Sequence, residues 1–320
     1  MGNDGLSILS SGYAAGSRVV TNEDLARIVD TSDEWIRSRT GIVTRHFGGE
    51  GESTTTLALS AARSALEKAG ISKEKIAAII CATMSADHAT PSTACLLQRE
   101  LSLPENIAAI DVNAACSGFV AALLCARAFL SKERPYAIVV GAEQLSRLLD
   151  FTDRTTCVLF GDGAGAVVVR KAEVPFGSCL FARGGSEILA AGAGPEVSHI
   201  QMDGRAVFRF AVEALPAAMK QTLKNAGMSV DEIDHIVCHQ ANERILEHVI
   251  KKEQLEDRKV YRNIDHFGNT SAASIPMAIG EMEERGLLKK DESLLLVGFG
   301  AGLTAGGVVV FYGGHDEDTQ

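Results

Sequence analysis

LEKAGISKEKIAAIICA at residues 66–82 and LKNAGMSVDEIDHIVCH at residues 223–239 are two copies of one pattern. The second copy begins 157 residues after the first (223 − 66). The same offset carries AIVVG at 137–141 onto LLLVG at 294–298, and AACS at 114–117 to the neighbourhood of Ala272-Ala273-Ser274. Chance rarely produces three matches at one offset, so the sequence indicates an internal duplication.

Each copy contains a helix pattern followed by an apolar strand. In the first copy, apolar residues recur at helical spacing from Leu57 to Ala69, and Gly70 ends that helix. The predicted strands include Ile76–Ala82, Ala137–Val140, Ala166–Arg170 and Gly307–Phe311. Strands that are apolar on both faces and alternate with helices indicate mixed sheets covered by helices, which is an α/β fold. We expect two similar halves, residues 1–171 and 172–320, joined near residues 171–177, with a site between them.

Composition excludes several classes of function. The net charge of −10 argues against nucleic acid as a partner, because phosphate binding needs a basic surface. No apolar run is long enough to cross a membrane, and Met1–Ser10 has no signal-peptide pattern. The seven cysteines lack CxxC spacing and lie mostly in apolar runs. We therefore expect a cytoplasmic protein with reduced thiols and no structural metal.

Cys116 is the cysteine whose context suggests reactivity. It lies in NAACSGFVAALLCARAFL, where small residues precede an apolar helix pattern. A helix N-terminus favours the thiolate, so we expect a pKa below about 8.5. The alternative is an ordinary buried cysteine, which is our interpretation of Cys125 in the same helix.

His239 follows the predicted strand residues 236–238. Polar side chains at the carboxyl end of a strand in an α/β sheet face the ligand crevice, although a single histidine is more often structural. His235 lies four residues earlier, a spacing that on a strand separates the two side chains by about 13 Å. That distance excludes a shared metal ion.

Asn269 lies in HFGNT at 266–270, before a helix pattern that runs from about Ser271 to Gly286. An asparagine in such a turn is commonly only a helix cap. The duplication, however, makes Ala273 the counterpart of Cys116. Asn269 should therefore approach the same centre from the opposite half.

The two glycine clusters, FGDGAG at 160–165 and GFGAG at 298–302, superficially suggest a nucleotide site. A dinucleotide fingerprint needs a strand before it and a helix after it, whereas Val-rich strands follow both clusters. We interpret them as tight turns whose N–H groups could approach an oxyanion, and reject NAD and ATP.

Five motifs in order resemble the β-ketoacyl-acyl-carrier-protein synthase III family, the condensing enzymes that start type II fatty-acid synthesis. They are DTSDEWI with RTGI at 30–42, AACSG at 114–118, FGDGAGA at 160–166, HQAN at 239–242 and GNTSAASIP at 268–276. The resemblance covers almost the whole chain. It implies the thiolase fold, five-layered αβαβα and built from two pseudo-symmetric halves, in a homodimer.

The resemblance also implies roles for particular residues. Cys116 would be the nucleophile that takes an acyl group from acyl-CoA. His239 and Asn269 would stabilise the enolate formed when malonyl-acyl-carrier protein loses CO2. The N–H groups of Cys116 and Ala301 would form the oxyanion hole. The implied residues for binding CoA and its pantetheine arm are Trp35, Arg39, Arg154, Phe208, Asn242 and Arg244. No metal or redox cofactor is implied.

The other implied partner is acyl carrier protein, which is acidic. Arg244, His248 and Lys251 share a predicted helix face, with Lys252 and Arg209 nearby, and could form its docking surface. Glu243 and Glu247 dilute this basic patch, so a merely solvated face is an equal alternative.

The sequence departs from the family at the acyl pocket. Thr90 stands where several short-chain members have Phe, a residue that closes the pocket across the dimer interface. We therefore expect primers longer or bulkier than acetyl to be accepted. Ala301 replaces a common Gly but keeps its N–H. Ala305 replaces a common Trp with no evident consequence. We also expect the acidic tail, residues 313–320, to be disordered.

Three alternatives remain at this stage. A polyketide or alkylquinolone acyltransferase would share the fold and the Cys–His–Asn set, because these do not fix the substrate. A non-catalytic acyl-carrier-binding partner would usually have lost the nucleophile or the histidine. A Cys–His–Asn hydrolase would need water access and a histidine basic enough to activate the thiol.

Overall fold

The structure is a computed structural model that describes residues 4–185, 189–190 and 198–313. Its strands are β1 (Gly5–Ala15), β2 (Arg18–Thr21), β3 (Thr44–Phe47), β4 (Ile76–Ala82), β5 (Ala108–Val112), β6 (Tyr136–Glu143), β7 (Gly163–Ala172), β8 (Ser178–Ala182), β9 (Leu189–Ala190), β10 (Gln201–Met202), β11 (His235–Cys238), β12 (Ser293–Gly300) and β13 (Thr304–Tyr312). Its α-helices are α1 (Asn22–Ala26), α2 (Asp33–Thr40), α3 (Thr54–Ala69), α4 (Thr93–Glu100), α5 (Gly118–Phe129), α6 (Gly204–Ala226), α7 (Glu243–Glu253), α8 (Ile264–Phe267) and α9 (Ser274–Glu284). Most of the acidic tail, from residue 314 onward, lies outside the described residues.

Two sets of strands have the same order. The first runs β1-β7-β6-β4-β5 and the second runs β8-β13-β12-β11. In both sets, one antiparallel pair (β7–β6, β13–β12) is followed by a parallel pair (β6–β4, β12–β11). The sets meet where β1 pairs in parallel with β13, at Ser7↔Phe311 and Ile8↔Tyr312.

The duplication is visible in the positions of individual elements. The bounds of β6 and β12, 136–143 and 293–300, differ by the 157 residues of the sequence repeat (293 − 136). Gly70 and Gly227, at the same offset, end α3 and α6 with left-handed φ values of 62° and 68°. Glycine adopts this conformation without the steric cost that a Cβ brings, so both helices end at equivalent positions.

The packing forms five layers. One apolar core contains residues of both strand sets and of the two central helices, α5 and α9. A second core lies between the first strand set and α3 and α4, and a third lies between the second set and α6 and α7. The order is therefore helices, sheet, helices, sheet, helices, which is the αβαβα thiolase fold that the resemblance implies.

The connection between the halves leaves β7 at Ala172 and enters β8 at Ser178. A boundary at residue 171 thus falls at the very end of β7. We keep the division into residues 1–171 and 172–320 as a proposal.

Candidate active site

Cys116 lies in a short 3-10 turn, Ala115–Ser117, immediately before α5. The preceding residue, Ala115, has a left-handed φ of 46°, a conformation uncommon for a residue with a side chain. Gly300 at the end of β12 packs directly on this turn, because a Cβ there would lie 2.6 Å from the Cys116 nitrogen. The nucleophile predicted in the first half is therefore held in place by a strand of the second half.

The protonation of Cys116 differs from the expectation. The side chain is buried, with 7% exposure, and burial raises the pKa of its thiol to about 12. The nearby Ser271 hydroxyl acts in the opposite direction and favours the thiolate. The expected lowering of this pKa was wrong for the free enzyme, because desolvation outweighs the favourable position before α5.

His239 follows β11 and is 1% exposed, and burial lowers its pKa to about 3. The imidazole is therefore neutral near pH 7. Its Nδ1 lies 2.7 Å from Ser274 Oγ, and that hydroxyl is also 2.8 Å from the carbonyl oxygen of Ser271. Phe299 packs edge-on against the ring, with centroids 5.4 Å apart. These contacts fix the ring, and Nε2 makes no hydrogen bond to any residue that the structure describes.

Asn269 is held through both its backbone and its side chain. Its N–H donates to Leu159 O and its carbonyl accepts from Gly161 N, each at 2.9 Å. Its Oδ1 accepts from the Ser271 N–H at 2.9 Å. Because the amide oxygen is occupied, the Nδ2 group remains as a donor.

The glycine clusters match the predicted turns only in part. Ala301 and Gly302 lie in the turn that joins β12 to β13. Gly163 and Gly165 belong to β7, and Gly298 and Gly300 belong to β12. A Cβ at Gly165 would lie less than 3.0 Å from the backbone of α9, at Pro276 and Met277. These glycines permit close packing between strands and the layers beside them, and the Gly161 N–H is already bonded to Asn269.

Cys116, His239 and Asn269 line one cavity. Four of the residues expected to bind CoA line it too: Trp35, Arg39, Phe208 and Asn242. The Asn242 side chain also caps α7 through the Arg244 N–H at 2.9 Å and donates to Arg39 O at 3.0 Å. Its helix-capping role and its position on the cavity therefore coexist.

Arg154 lies beside this cavity without lining it. Its guanidinium is 5.3 Å from the centre of the Trp35 ring and 3.2 Å from an Asp30 carboxylate oxygen. Two stacked groups that enclose a third ring must be about twice a stacking distance apart, or roughly 7 Å. At 5.3 Å, the present separation leaves no room for another ring between Trp35 and Arg154.

The remaining predicted residues lie outside the cavity lining. Ala301 follows the last residue of β12, while Thr90 is exposed. The proposed docking residues are also exposed, on α6 and α7: Arg209, Arg244, Lys251 and Lys252. Lys252 donates to Val212 O at 3.0 Å, which ties α7 to α6.

His235 is not part of the site. It lies at the start of β11, where its Nε2 is 2.9 Å from Glu292. Within the described residues, no group of three or more His, Cys, Asp or Glu side chains is arranged to hold a metal ion. In that same part of the chain, none of the helices combines the length and apolarity needed to cross a bilayer.

Sequence reasoning missed four residues around the predicted three: Glu143, Ser271, Ser274 and Phe299. Glu143 ends the apolar strand β6 and is completely buried. The rule that identified His239, a polar residue at the carboxyl end of an apolar strand, applies equally to Glu143 and could have found it. The two serines lie in GNTSAASIP, but sequence alone does not show which of its hydroxyls face the site.

Comparison with known proteins identifies close relatives. The family model "3-Oxoacyl-[acyl-carrier-protein (ACP)] synthase III" matches residues 110–185, and its C-terminal companion matches residues 223–312. A β-ketoacyl-[acyl-carrier-protein] synthase III of Clostridium acetobutylicum is 44% identical over 95% of this chain and 98% of its own length. Another from Wolbachia pipientis is also 44% identical, over 95% of this chain and 98% of its own length.

Solved structures agree with these sequence matches. The 3-oxoacyl-[acyl-carrier-protein] synthase III of Aquifex aeolicus superposes with a TM-score of 0.89 at 42% identity, covering 95% of this chain and 99% of its own. The priming β-ketosynthase of the R1128 polyketide pathway has a TM-score of 0.90 at 32% identity, covering 97% of each chain. Both share the fold, and the Aquifex aeolicus synthase is nearer in sequence.

Proposed function

Because the chain belongs to the 3-oxoacyl-[acyl-carrier-protein] synthase III family, we propose that Cys116, His239 and Asn269 carry out its chemistry. It is a condensing acyltransferase of fatty-acid synthesis, and the polyketide alternative is not favoured. The observation that carries the assignment of residues is that a buried thiol, a neutral imidazole and an amide donor line a single cavity.

In the first half-reaction, Cys116 Sγ attacks the thioester carbonyl of acyl-CoA. The thiol proton moves to His239 Nε2 and then to the departing CoA thiolate, so that the C–S bond to CoA breaks as the new one forms. The N–H groups of Cys116 and Ala301 would bind the tetrahedral oxyanion. The raised pKa of Cys116 makes this proton transfer necessary, because little thiolate exists beforehand.

In the second half-reaction, malonyl-acyl-carrier protein binds and its C–CO2 bond breaks. The electron pair becomes an enolate whose oxygen accepts hydrogen bonds from Asn269 Nδ2 and His239 Nε2–H. The enolate carbon attacks the acyl-Cys116 carbonyl, and Cys116 departs as a thiolate that takes a proton from water. Neutral donors in a buried site stabilise the forming charge strongly and require no metal or redox cofactor.

The tautomer of His239 matters for both steps. When the Ser274 hydroxyl donates to Ser271 O, Nδ1 carries the imidazole proton and Nε2 can accept the thiol proton. When that hydroxyl donates to Nδ1 instead, Nε2 carries the proton and can donate to the enolate. The single Ser274 proton therefore decides which role the imidazole is ready for.

We further propose binding of CoA by Trp35, Arg39, Arg154, Phe208, Asn242 and Arg244, and docking of acyl carrier protein on Arg209, Arg244, Lys251 and Lys252. A homodimer is supported by β5, whose ladder in the described residues has β4 as its one partner and whose Ile110 is 42% exposed. An unpaired strand edge with apolar exposure favours pairing with a second copy. The free state of all seven cysteines supports a cytoplasmic location.

Mass spectrometry of the intact protein tests the residue assignment. Incubation with acyl-CoA should add one acyl group at Cys116, and malonyl-acyl-carrier protein should then release a β-ketoacyl product. Cys116→Ser should stop stable acylation and product formation. Free fatty acid without malonyl substrate would indicate a hydrolase, and the absence of any adduct would indicate a non-catalytic binding partner.

A further inference from the structure

Glu143 is a buried carboxyl group that neither half-reaction uses. It is the last residue of β6, and its side chain is 0% exposed. In the part of the chain that the structure describes, Glu143 forms no ion pair. An isolated charge at such a position is costly, so its retention needs a reason beyond packing.

One side of the Glu143 carboxyl is held by residues that follow β4. Ser85 Oγ donates to Oε2 at 2.5 Å, Thr83 Oγ1 donates to the same oxygen at 3.3 Å, and the Met84 N–H donates to it at 3.2 Å. Ser85 Oγ in turn accepts from the Gln144 N–H at 2.9 Å. The carboxyl is thus fixed in orientation by the first half of the molecule.

The other side faces Ser271, which comes from the second half. Ser271 is 1% exposed, has a left-handed φ of 50° and lies in a turn that contacts both β6 and the turn of Cys116. Its hydroxyl has no partner of standard hydrogen-bond geometry within the described residues, yet it interacts with both the Cys116 thiol and the Glu143 carboxyl. This buried hydroxyl is therefore close to both the nucleophile and the buried acid.

We propose that Glu143 is a positioning residue that acts through the Ser271 hydroxyl to control how readily Cys116 gives up its proton. The proposal rests on the assignment of Cys116 as the nucleophile. A protonated Glu143 donates to Ser271 Oγ and leaves the Ser271 O–H free to point at the Cys116 sulfur. An ionised Glu143 instead accepts from Ser271 and adds a negative charge beside the thiol.

Electrostatics determine in which direction the charge of Glu143 changes the ionisation of Cys116. Burial raises the pKa of Glu143 to about 7, so both of its forms are populated near neutrality. Ionised Glu143 raises the pKa of Cys116. Burial, Asp111 and Glu143, in that order, raise the pKa of Cys81 on β4, which stays a thiol. The Arg147 guanidinium donates to the backbone carbonyl oxygens of Ser85 and Ala86 and pairs with Asp87. Cys116 is consequently easier to ionise below the pKa of Glu143 than above it.

The rate of Cys116 alkylation by iodoacetamide, followed by peptide mass spectrometry between about pH 5.5 and 9, measures this control directly. The wild-type profile should bend near the pKa of Glu143. Glu143→Gln, which imitates the protonated acid, should match the wild type at low pH and react about tenfold faster above neutrality, equivalent to about one pKa unit. Ser271→Ala should react more slowly throughout, and Glu143→Gln should have a smaller effect in that background, because only the direct charge effect of Glu143 on the thiol remains. Glu105→Gln, at an exposed site, is the matched control and should follow the wild type.

A Glu143→Gln profile parallel to that of the wild type overturns the proposal, and so does an undiminished Glu143→Gln effect in the Ser271→Ala background. If Glu143→Gln fails to fold, as judged by circular dichroism, the wild-type profile alone tests the proposal. A bend near the pKa of Glu143 supports the proposal, and a profile without the bend overturns it. Alkylation needs no acyl-CoA. A Cys116 that shows these pH effects but is never acylated by acyl-CoA would therefore refute the proposed function and not this inference.

Discussion

At the scale of single residues, the site depends on hydroxyl groups that set the protonation of its larger side chains. Ser274 contacts His239 Nδ1, and Ser271 is close to both Cys116 and Glu143. Both serines belong to the turn and first residue of α9, and Asn269 lies just before them. One short segment of the second half, residues 269–274, therefore shapes the surroundings of three groups: the His239 imidazole, the Cys116 thiol and the Glu143 carboxyl.

We predict that Ser274→Ala lowers the rate of condensation by about tenfold or more, which is about 1.4 kcal/mol. The change removes the Nδ1 partner at 2.7 Å, so the imidazole loses both its orientation and its choice of tautomer. The two half-reactions should be timed separately, and nitrogen-15 NMR of His239 should report the tautomer.

The control for this change is Ser72→Ala, because Ser72 is exposed and its side chain makes no cap hydrogen bond. It should leave both half-reactions and the NMR spectrum as in the wild type. A Ser274→Ala protein with an unaltered His239 tautomer and an unaltered condensation rate would contradict the prediction.

At the scale of elements, the site depends on glycines that let backbones approach closely. A Cβ at Gly141 in β6 would lie less than 3.0 Å from the backbone oxygen and carbon of Ala272, in the turn that carries Ser271. We predict that Gly141→Ala destabilises the protein by about 1–3 kcal/mol, because backbone atoms cannot yield as a flexible side chain can. Urea unfolding should show a lower midpoint.

Gly184→Ala is the matched control, since no atom of the described residues lies within 4 Å of a Cβ at that position. Its unfolding midpoint should stay close to that of the wild type. If Gly141→Ala were as stable as this control, the close approach between β6 and the turn would not be tight in solution.

Elements also show why the fold was easier to predict than the site. The bounds of β4 and the end of α3 at Gly70 follow from local patterns, and the structure has them as predicted. His239 and Asn269 could be identified because each follows or precedes a recognisable element. The partner of each hydroxyl, however, depends on contacts between segments more than a hundred residues apart, such as Glu143 with Ser271. The pKa of Cys116 could not be predicted either, because it depends on burial that only tertiary packing creates.

At the scale of the whole molecule, an acidic protein must bind an acidic carrier protein. A net charge of −10 repels an acidic partner at long range, so docking of the carrier protein needs a local basic surface. We predict that Lys251→Glu lowers kcat/KM for malonyl-acyl-carrier protein by about fivefold at low salt and by less at high salt, because exposed charges are screened. The rate of Cys116 acylation by acyl-CoA should not change.

Lys224→Glu makes the same change of charge at another exposed lysine, near the far end of α6. With a helical rise of 1.5 Å per residue, it lies about 22 Å along the helix from Arg209. It should affect neither substrate. Equal losses with both substrates in Lys251→Glu would indicate a solvated face and not a docking surface.

The acyl pocket is where we expect one subunit of the dimer to affect the choice of primer in the other. Thr90 is exposed and is not among the residues that line the cavity, so we expect it to influence the primer from a partner subunit. We predict that Thr90→Phe lowers the use of octanoyl-CoA relative to acetyl-CoA by about tenfold, the scale of discrimination expected when a pocket loses room for an apolar group. Competition between the two primers measures this ratio.

A mixed dimer isolates the subunit from which the effect comes. When Thr90→Phe is combined with Cys116→Ala in one protomer, the single active Cys116 belongs to the wild-type partner, and its preference should shift toward acetyl-CoA. When Thr90→Phe is placed on the active protomer and Cys116→Ala on the other, the preference should stay as in the wild type. The reverse pattern would mean that Thr90 acts within its own chain, and strict acetyl preference in the unmodified protein would mean that the smaller side chain does not deepen the pocket.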